Sequence, residues 1–428
     1  MKKIKSLVFA LCAFALVSFL SFSCATDSAL KENKETGYEI YKDNPFGIKA
    51  KNYYLMQELS VLNKADNYRI NAVINKLKEG KQIKACAIGG SVTEGEGPAD
   101  YKDGYAYVFA NLLQKEYGTP SSKVIFNNAG LCGTPSTLGL LRYNDDVLLP
   151  LENELDLLII EFAVNDGGEP TGGRAFECLI RNALESSKEC AVIVVCSAAL
   201  YPSTQSTMAL IADHYKVPVV SISNAVKKAM EQNVITKETF FTDVVHPTKQ
   251  GHAFMADCIM YTIKKMLAEP LCDESEIPGN YLSKQGFNGF KTIKGNDQNV
   301  TINNKGFTSY DSNIHILKKN GEADFKTNFY HAPYSTQDEF EMQIKCKSLL
   351  FAYKANGAWT NIPFGKAELY IDGELHSVLD GSINGGWNNA VTLLVIDTDE
   401  SLTHNVKLKM CPEDKDKGFT IVCMGYTP

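Results

Sequence analysis

The sequence predicts a three-layer α/β/α domain built on a parallel sheet, followed by a smaller all-β sandwich of jelly-roll type. Three observations predict it. Between residues 83 and 267, apolar runs alternate with segments of helical period. Those runs are continuously apolar, as strands covered on both faces must be. Beyond residue 285 the helical periods stop, and short runs separated by Gly, Asn and Asp take over, the pattern of antiparallel strands in a sandwich.

The chain has 428 residues, enough for two domains, and its 44% hydrophobic and 22% charged composition is that of a globular protein. A net charge of −7 gives no basic face and argues against a nucleic-acid partner. The N-terminus stands apart. "MKKIK" is a basic n-region, "SLVFALCAFALVSFLSF" an apolar h-region, and Cys24 follows small residues. Residues 1–24 therefore read as a secretory signal, with Cys24 as a lipid-attachment site of a bacterial lipoprotein. An exported location follows: periplasmic or cell-surface if lipidated, secreted if an ordinary signal peptide is cut nearby. No other run approaches the ~18 apolar residues that span a membrane, so the membrane is expected to be reached only through the N-terminal anchor. Of 12 cysteines, Cys86, Cys196 and Cys423 lie in apolar runs and read as small buried hydrophobes. The chain has no CxxC pair, which disfavours a structural zinc site.

Along the chain, residues 25–60 read as a tether and lead-in. A helix is expected within 63–81, from apolar spacing and a Gly stop. Strands follow at 83–88, 123–127, 156–163, 191–197 and 217–221. Helices fall at 105–118, 136–149, 174–187, 204–215 and 246–267. This first domain covers 61–270. "AEPLCDESEIPGN" is a breaker-rich linker, and 285–428 form the second domain, a candidate carbohydrate-binding module.

Chemistry gathers where the strands end. The first gives "GGSVTEG" with Ser91, the second "NNAGLCGT", the third "EFAVND", and "FTDVVHP" precedes the last helix. In open parallel sheets, sites form at the carboxyl ends of strands. A serine hydroxyl needs a neighbouring base to act as a nucleophile. His246 suits that task, since imidazole titrates near neutrality. Asp243, three residues earlier, can hold the imidazole in the right tautomer.

These four blocks, in this order, resemble the SGNH/GDSL hydrolase superfamily, over about residues 85 to 265. The resemblance implies an SGNH-type, flavodoxin-like fold. It implies Ser91 as nucleophile, Asp243 and His246 as its partners, and an oxyanion hole from the Ser91 and Gly133 backbones and the Asn165 side chain. No metal or organic cofactor is implied. The first block departs from the common Gly-Asp-Ser, with Gly90 in the Asp position. The absence of G-x-S-x-G disfavours a nucleophile-elbow hydrolase.

Each of these residues also has a plainer reading. Ser91 and Asn165–Asp166 can be turn residues, Asp243 a helix cap, and Gly130 competes with Gly133. His252 reads as a helix surface or packing residue, Arg142 with Asp145 as a structural pair, and Glu94 and Glu96 as solvated or site-shaping. An exported chain with a β-sandwich resembles bacterial carbohydrate esterases, so an acetylated carbohydrate is the expected substrate, cleaved through an acyl-enzyme. A short-chain acyl or lipid esterase, an O-acyltransferase and a non-catalytic glycan-binding lipoprotein are the alternatives. Trp359 and Trp387, the only two tryptophans, are candidate sugar-stacking residues, with core packing as their plainer role.

Overall fold

The computed structural model describes residues 38–274, 276–283, 286–313, 325–356, 362–383 and 389–428. The signal segment with Cys24, and both Trp359 and Trp387, lie outside the described residues. The chain falls into two compact units, Met1–Leu55 and Met56–Pro428. In the first, the ring of Tyr41 packs beside Tyr53 and Tyr54, and Phe46 meets Tyr53 edge-on. Helix α1 (Ala50–Ser60) begins there, in what the sequence suggested was lead-in.

The first sheet holds β1 (Val61–Asn63), β2 (Gln82–Gly89), β3 (Lys123–Gly130), β4 (Leu157–Glu161), β5 (Ala191–Cys196) and β6 (Val219–Ser221), in the order β1-β6-β5-β4-β2-β3. Five of them run parallel, as expected. The sixth, β1, is antiparallel to β6, so the sheet is mixed. Three residues are too few to announce an edge strand by periodicity, and the helix expected over 63–81 accordingly starts only at α2 (Tyr68–Lys78).

The remaining helices are α3 (Ser91–Glu94), α4 (Tyr105–Tyr117), α5 (Ser136–Tyr143), α6 (Arg174–Ser186), α7 (Gln205–His214), α8 (Ile222–Glu231), α9 (Lys237–Phe240) and α10 (Lys249–Leu267). The helix expected over 136–149 stops at Tyr143. A π turn and a 3-10 turn containing Pro150, which lacks an N–H donor, complete the segment. The strands bury both faces. Cys86, Ile88, Leu158, Ile160, Val192 and Val194 share a core with α5, α6 and α7. Ala85, Ala87, Leu157, Ile159 and Ile193 are equally buried on the opposite side, where α2, α4 and α10 pack on one another. Period-2 alternation thus splits one apolar run between two cores. In register, Gly89 sits between Gly130 on one side and Glu161 on the other, so three strands end at one level.

The second sheet is antiparallel: β7 (Lys291–Thr292), β8 (Val300–Asn304), β9 (Phe329–His331), β10 (Glu339–Ala355), β11 (Lys366–Ile371), β12 (Glu374–Asp380), β13 (Asn389–Met410) and β14 (Phe419–Thr427). Two layers arise because β10 and β13, paired along their length, bend at bulges beside Cys346–Ser348 and Leu349–Leu350. The first bulge also switches side-chain parity. Phe340, Met342, Ile344 and Cys346 face the sandwich core before it, and Leu349, Phe351 and Tyr353 after it. Past the bulge the other parity, Leu350 and Ala352, joins the core of α5 and α6. Both sheets therefore belong to one compact unit, Met56–Pro428, with the 268–280 linker inside it.

Candidate active site

Ser91 opens α3, the four-residue helix that follows β2. Gly90 is its N-cap, and Gly95 closes it in the left-handed region at φ 104°. The Glu94 N–H donates to Gly90 O at 3.0 Å, and the Glu96 N–H donates to Ser91 O at 2.9 Å. The Ser91 N–H lies in the first turn of α3, where helical N–H groups have no partner within the helix. A Cβ at position 90 would stand 2.2 Å from Asn165 Oδ1. The Asn165 amide therefore lies directly against the Ser91 turn.

His246 sits in the loop before α10, whose helix begins at Lys249 with Thr248 as its cap. The helix expected from 246 starts three residues later, which leaves Asp243 outside any capping role there. The loop is pinned shut: the Thr242 N–H donates to His246 O at 2.8 Å, and Phe241 bridges Pro247. Asp243 Oδ1 accepts the N–H groups of Val245 and His246, both at 2.8 Å, and its Oδ2 lies 2.6 Å from His246 Nδ1. Partial burial would raise the Asp243 carboxyl. The two backbone donors and the imidazole outweigh it and hold the group down at about 2. His246 Nε2 is 2.8 Å from Ser91 Oγ. With Nδ1–H donated to Asp243, Nε2 is left as the acceptor of the serine proton. The Ser91 loop and the His246 loop touch at Gly97, where φ is 118° and a Cβ would stand 2.0 Å from Pro247 O.

The second block follows β3. Its strand end, Gly130, lies against the backbone of Glu94, so that glycine is explained by close packing of α3. Gly133 stands in the loop beyond, half-buried, at φ 68°. Glu94 is buried and shapes this loop: its Oε2 accepts the Cys132 N–H at 2.7 Å. Asp166, next to Asn165, accepts the Ser136 N–H at 2.7 Å at the start of α5. Burial pushes its carboxyl up to about 7.

Two expectations change. Arg142 pairs with Asp146 at 2.8 Å, one residue beyond the predicted Asp145, which pairs instead with Lys294. The buried Arg142 guanidinium also donates to Ala129 O and Gly89 O, tying together the ends of β2 and β3. His252 is fully buried, so its packing role stands and the surface role does not. Its Nδ1 accepts the Tyr105 N–H at 3.0 Å, and Nε2 faces Glu96 O at 2.9 Å, fastening the end of the Ser91 loop. Sequence reasoning missed Glu161. It ends β4, is fully buried beside Gly89, and its Oε2 accepts from Thr93 Oγ1 of α3 at 3.2 Å. Thr93 Oγ1 also meets Tyr105 Oη at 2.9 Å. A lone carboxylate at the end of an all-apolar strand was the available signal. Burial pushes Glu161 up to about 7. Among the described residues, no cluster of three or more His, Cys, Asp and Glu could hold a metal ion.

A strand-end serine on an imidazole held by a carboxylate, with a side-chain amide against its turn, can activate a hydroxyl and meet developing negative charge. Residues 87–254, which hold all these groups, match the model of the GDSL-like lipase/acylhydrolase family, the resemblance carried by the four blocks. The fold extends the likeness to the second sheet. A two-domain esterase (CEX) active on acetylated mannans superposes at a TM-score of 0.74 with 24% identity, covering 87% of this chain and 98% of that one. Its co-crystal with mannopentaose matches at the same TM-score and identity, over 97% of that chain. Among curated proteins, none matches this chain in sequence.

Proposed function

We propose that the protein is a serine esterase that removes O-acetyl groups from carbohydrate. The observation that carries this reading is the continuous chain from Ser91 Oγ through His246 to Asp243, at 2.8 and 2.6 Å. Ser91 Oγ attacks the acyl carbon while its proton passes to His246 Nε2. Asp243, held ionised, stabilises the imidazolium that forms. The carbonyl oxygen takes up the negative charge and accepts from the Ser91 and Gly133 N–H groups and the Asn165 amide. The tetrahedral intermediate collapses to an acyl-serine, and His246 gives the proton to the departing sugar oxygen, which leaves as a hydroxyl. Water, deprotonated by His246, then attacks the acyl carbon; the bond to Ser91 Oγ breaks, His246 returns the proton to that oxygen, and acetate leaves.

The acetyl-carbohydrate part of the reading is supported by the similar two-domain esterase, which acts on acetylated mannans and shares the fold across both sheets. The test is acetate release from acetylated mannan, xylan and pectin and from an aryl acetate, with the wild type beside Ser91→Ala. Release that the substitution abolishes in a folded protein is expected. Activity that survives Ser91→Ala would remove the nucleophile. Turnover confined to long-chain acyl esters would remove the carbohydrate substrate.

A further inference from the structure

We propose a second carbohydrate-binding site, on the outer face of the second sheet, that takes a neutral oligosaccharide and does not include Ser91. The proposal stands on this face alone and is independent of the esterase reading. A cavity of about 800 Å³ lies over β8, the first half of β10, the last part of β13, and β11. That is the upper range of small-molecule sites. The strands are in register there: Asn303, Glu341, Lys407 and Tyr370 form one row across four strands, and Thr301, Gln343 and Asn405 the next. Their neighbours Met342, Ile344, Val406 and Leu408 point into the sandwich core. The outward row is thus polar by strand alternation and held rigidly by a packed layer beneath. The part of β10 past the bulge faces α5 and α6 instead, so this trough is on the layer away from them.

Its chemistry selects the ligand. The charges on the face sum to zero, Lys305, Lys407 and Lys409 against Glu339, Glu341 and Glu368, the last opposite Lys409 in register: Lys407 meets Glu339 at 2.9 Å and Glu341 at 3.6 Å, Lys305 meets Glu341 at 3.1 Å, and Lys409 meets Glu339 at 3.5 Å. Such a surface exerts little net field on an anion or a charged peptide. What remains are the amides of Asn303, Gln343 and Asn405 and the Thr301 hydroxyl. Each offers both donors and acceptors, as sugar hydroxyls require. At one end stands Tyr370, half-buried, its hydroxyl donating to Glu368 Oε2 at 2.8 Å. That bond fixes the ring, whose apolar face can carry the C–H face of a sugar ring.

The full chain should be retarded in native gels containing deacetylated mannan, xylan or cellulose derivatives, and should bind the best neutral pentasaccharide by calorimetry. Tyr370→Ala and Asn405→Ala, each folded by circular dichroism, should weaken that binding about ten-fold or more while aryl-acetate turnover stays unchanged. Ser91→Ala should bind like the wild type. Binding of no neutral glycan, binding unaffected by both face substitutions, or retention only by charged polymers would overturn the proposal. Loss of aryl-acetate turnover in Ser91→Ala is read separately, so failure of the esterase reading and failure of this site are distinguishable.

Discussion

Glu161→Gln tests whether a neutral carboxylic acid is built in beneath the Ser91 turn. The wild-type carboxyl is fully buried, and burial, opposed only in part by the Ser197 and Thr93 hydroxyls, moves it from 4.5 up to about 7. A displacement of that size separates the neutral and ionised forms by ~3 kcal/mol. The folded value lies above the unfolded one, so the folded state is the one that holds the proton. The stability due to the neutral acid is complete below pH ~4.5 and is lost as pH rises through about 7. Glutamine has the same shape and no charge at any pH. The variant should therefore gain ~3 kcal/mol on the wild type between pH 4.5 and pH 8. Asp166, also raised to about 7, titrates in both proteins; the Glu161 charge is one of the smaller causes of its shift, so its contribution cancels in large part, not wholly, in the difference. Urea denaturation at several pH values, followed by fluorescence, reads the difference directly. Parallel stability curves for the two proteins would refute the reasoning, because they would mean that Glu161 is ionised at no cost.

Two further outcomes concern the site itself. Asn165→Ala should lower kcat by about 10²- to 10³-fold with little change in KM, since the amide is assigned to charge that develops only in the transition state; a pure KM effect would remove it from that role. Gly97→Ala places a Cβ against Pro247 O at a φ of 118°, which should cost about 1–3 kcal/mol of stability and lower kcat by shifting the neighbouring His246; unfolding curves and rates equal to the wild type would show that the two loops are not held in contact.

Several levels of this protein are legible in its sequence, and the reason is local. Strands buried on both faces must be apolar throughout, so β2, β4 and β5 stand out as runs, and the intervening helices show their period. Ser91, Asn165 and the Asp243-x-x-His246 spacing carry their pattern within a few residues. The Asp243–His246 contact is a turn of four residues, which spacing alone can foresee. The Ser91–His246 contact joins residues 155 positions apart, and only the parallel register and the pinned loop after α9 bring them to 2.8 Å.

What the tertiary structure alone decided lies in long-range partners. Arg142 chose Asp146 over Asp145 because its guanidinium also reaches the carbonyls that end β2 and β3. His252 has a surface-compatible spacing on α10, yet it is buried because the Ser91 loop and the start of α4 each need a polar partner there. Glu161 looks like an ordinary charged strand end until β2 and α3 close over it. The register break at Cys346–Ser348 leaves no mark in composition, but across it the core-facing parity of β10 switches, so the strand packs on α5 and α6 with one half and leaves a polar trough on the other. Short-range pattern records which residues are apolar, polar or turn-forming; which of them meet is set by register and packing, where a displacement of one residue reverses every face.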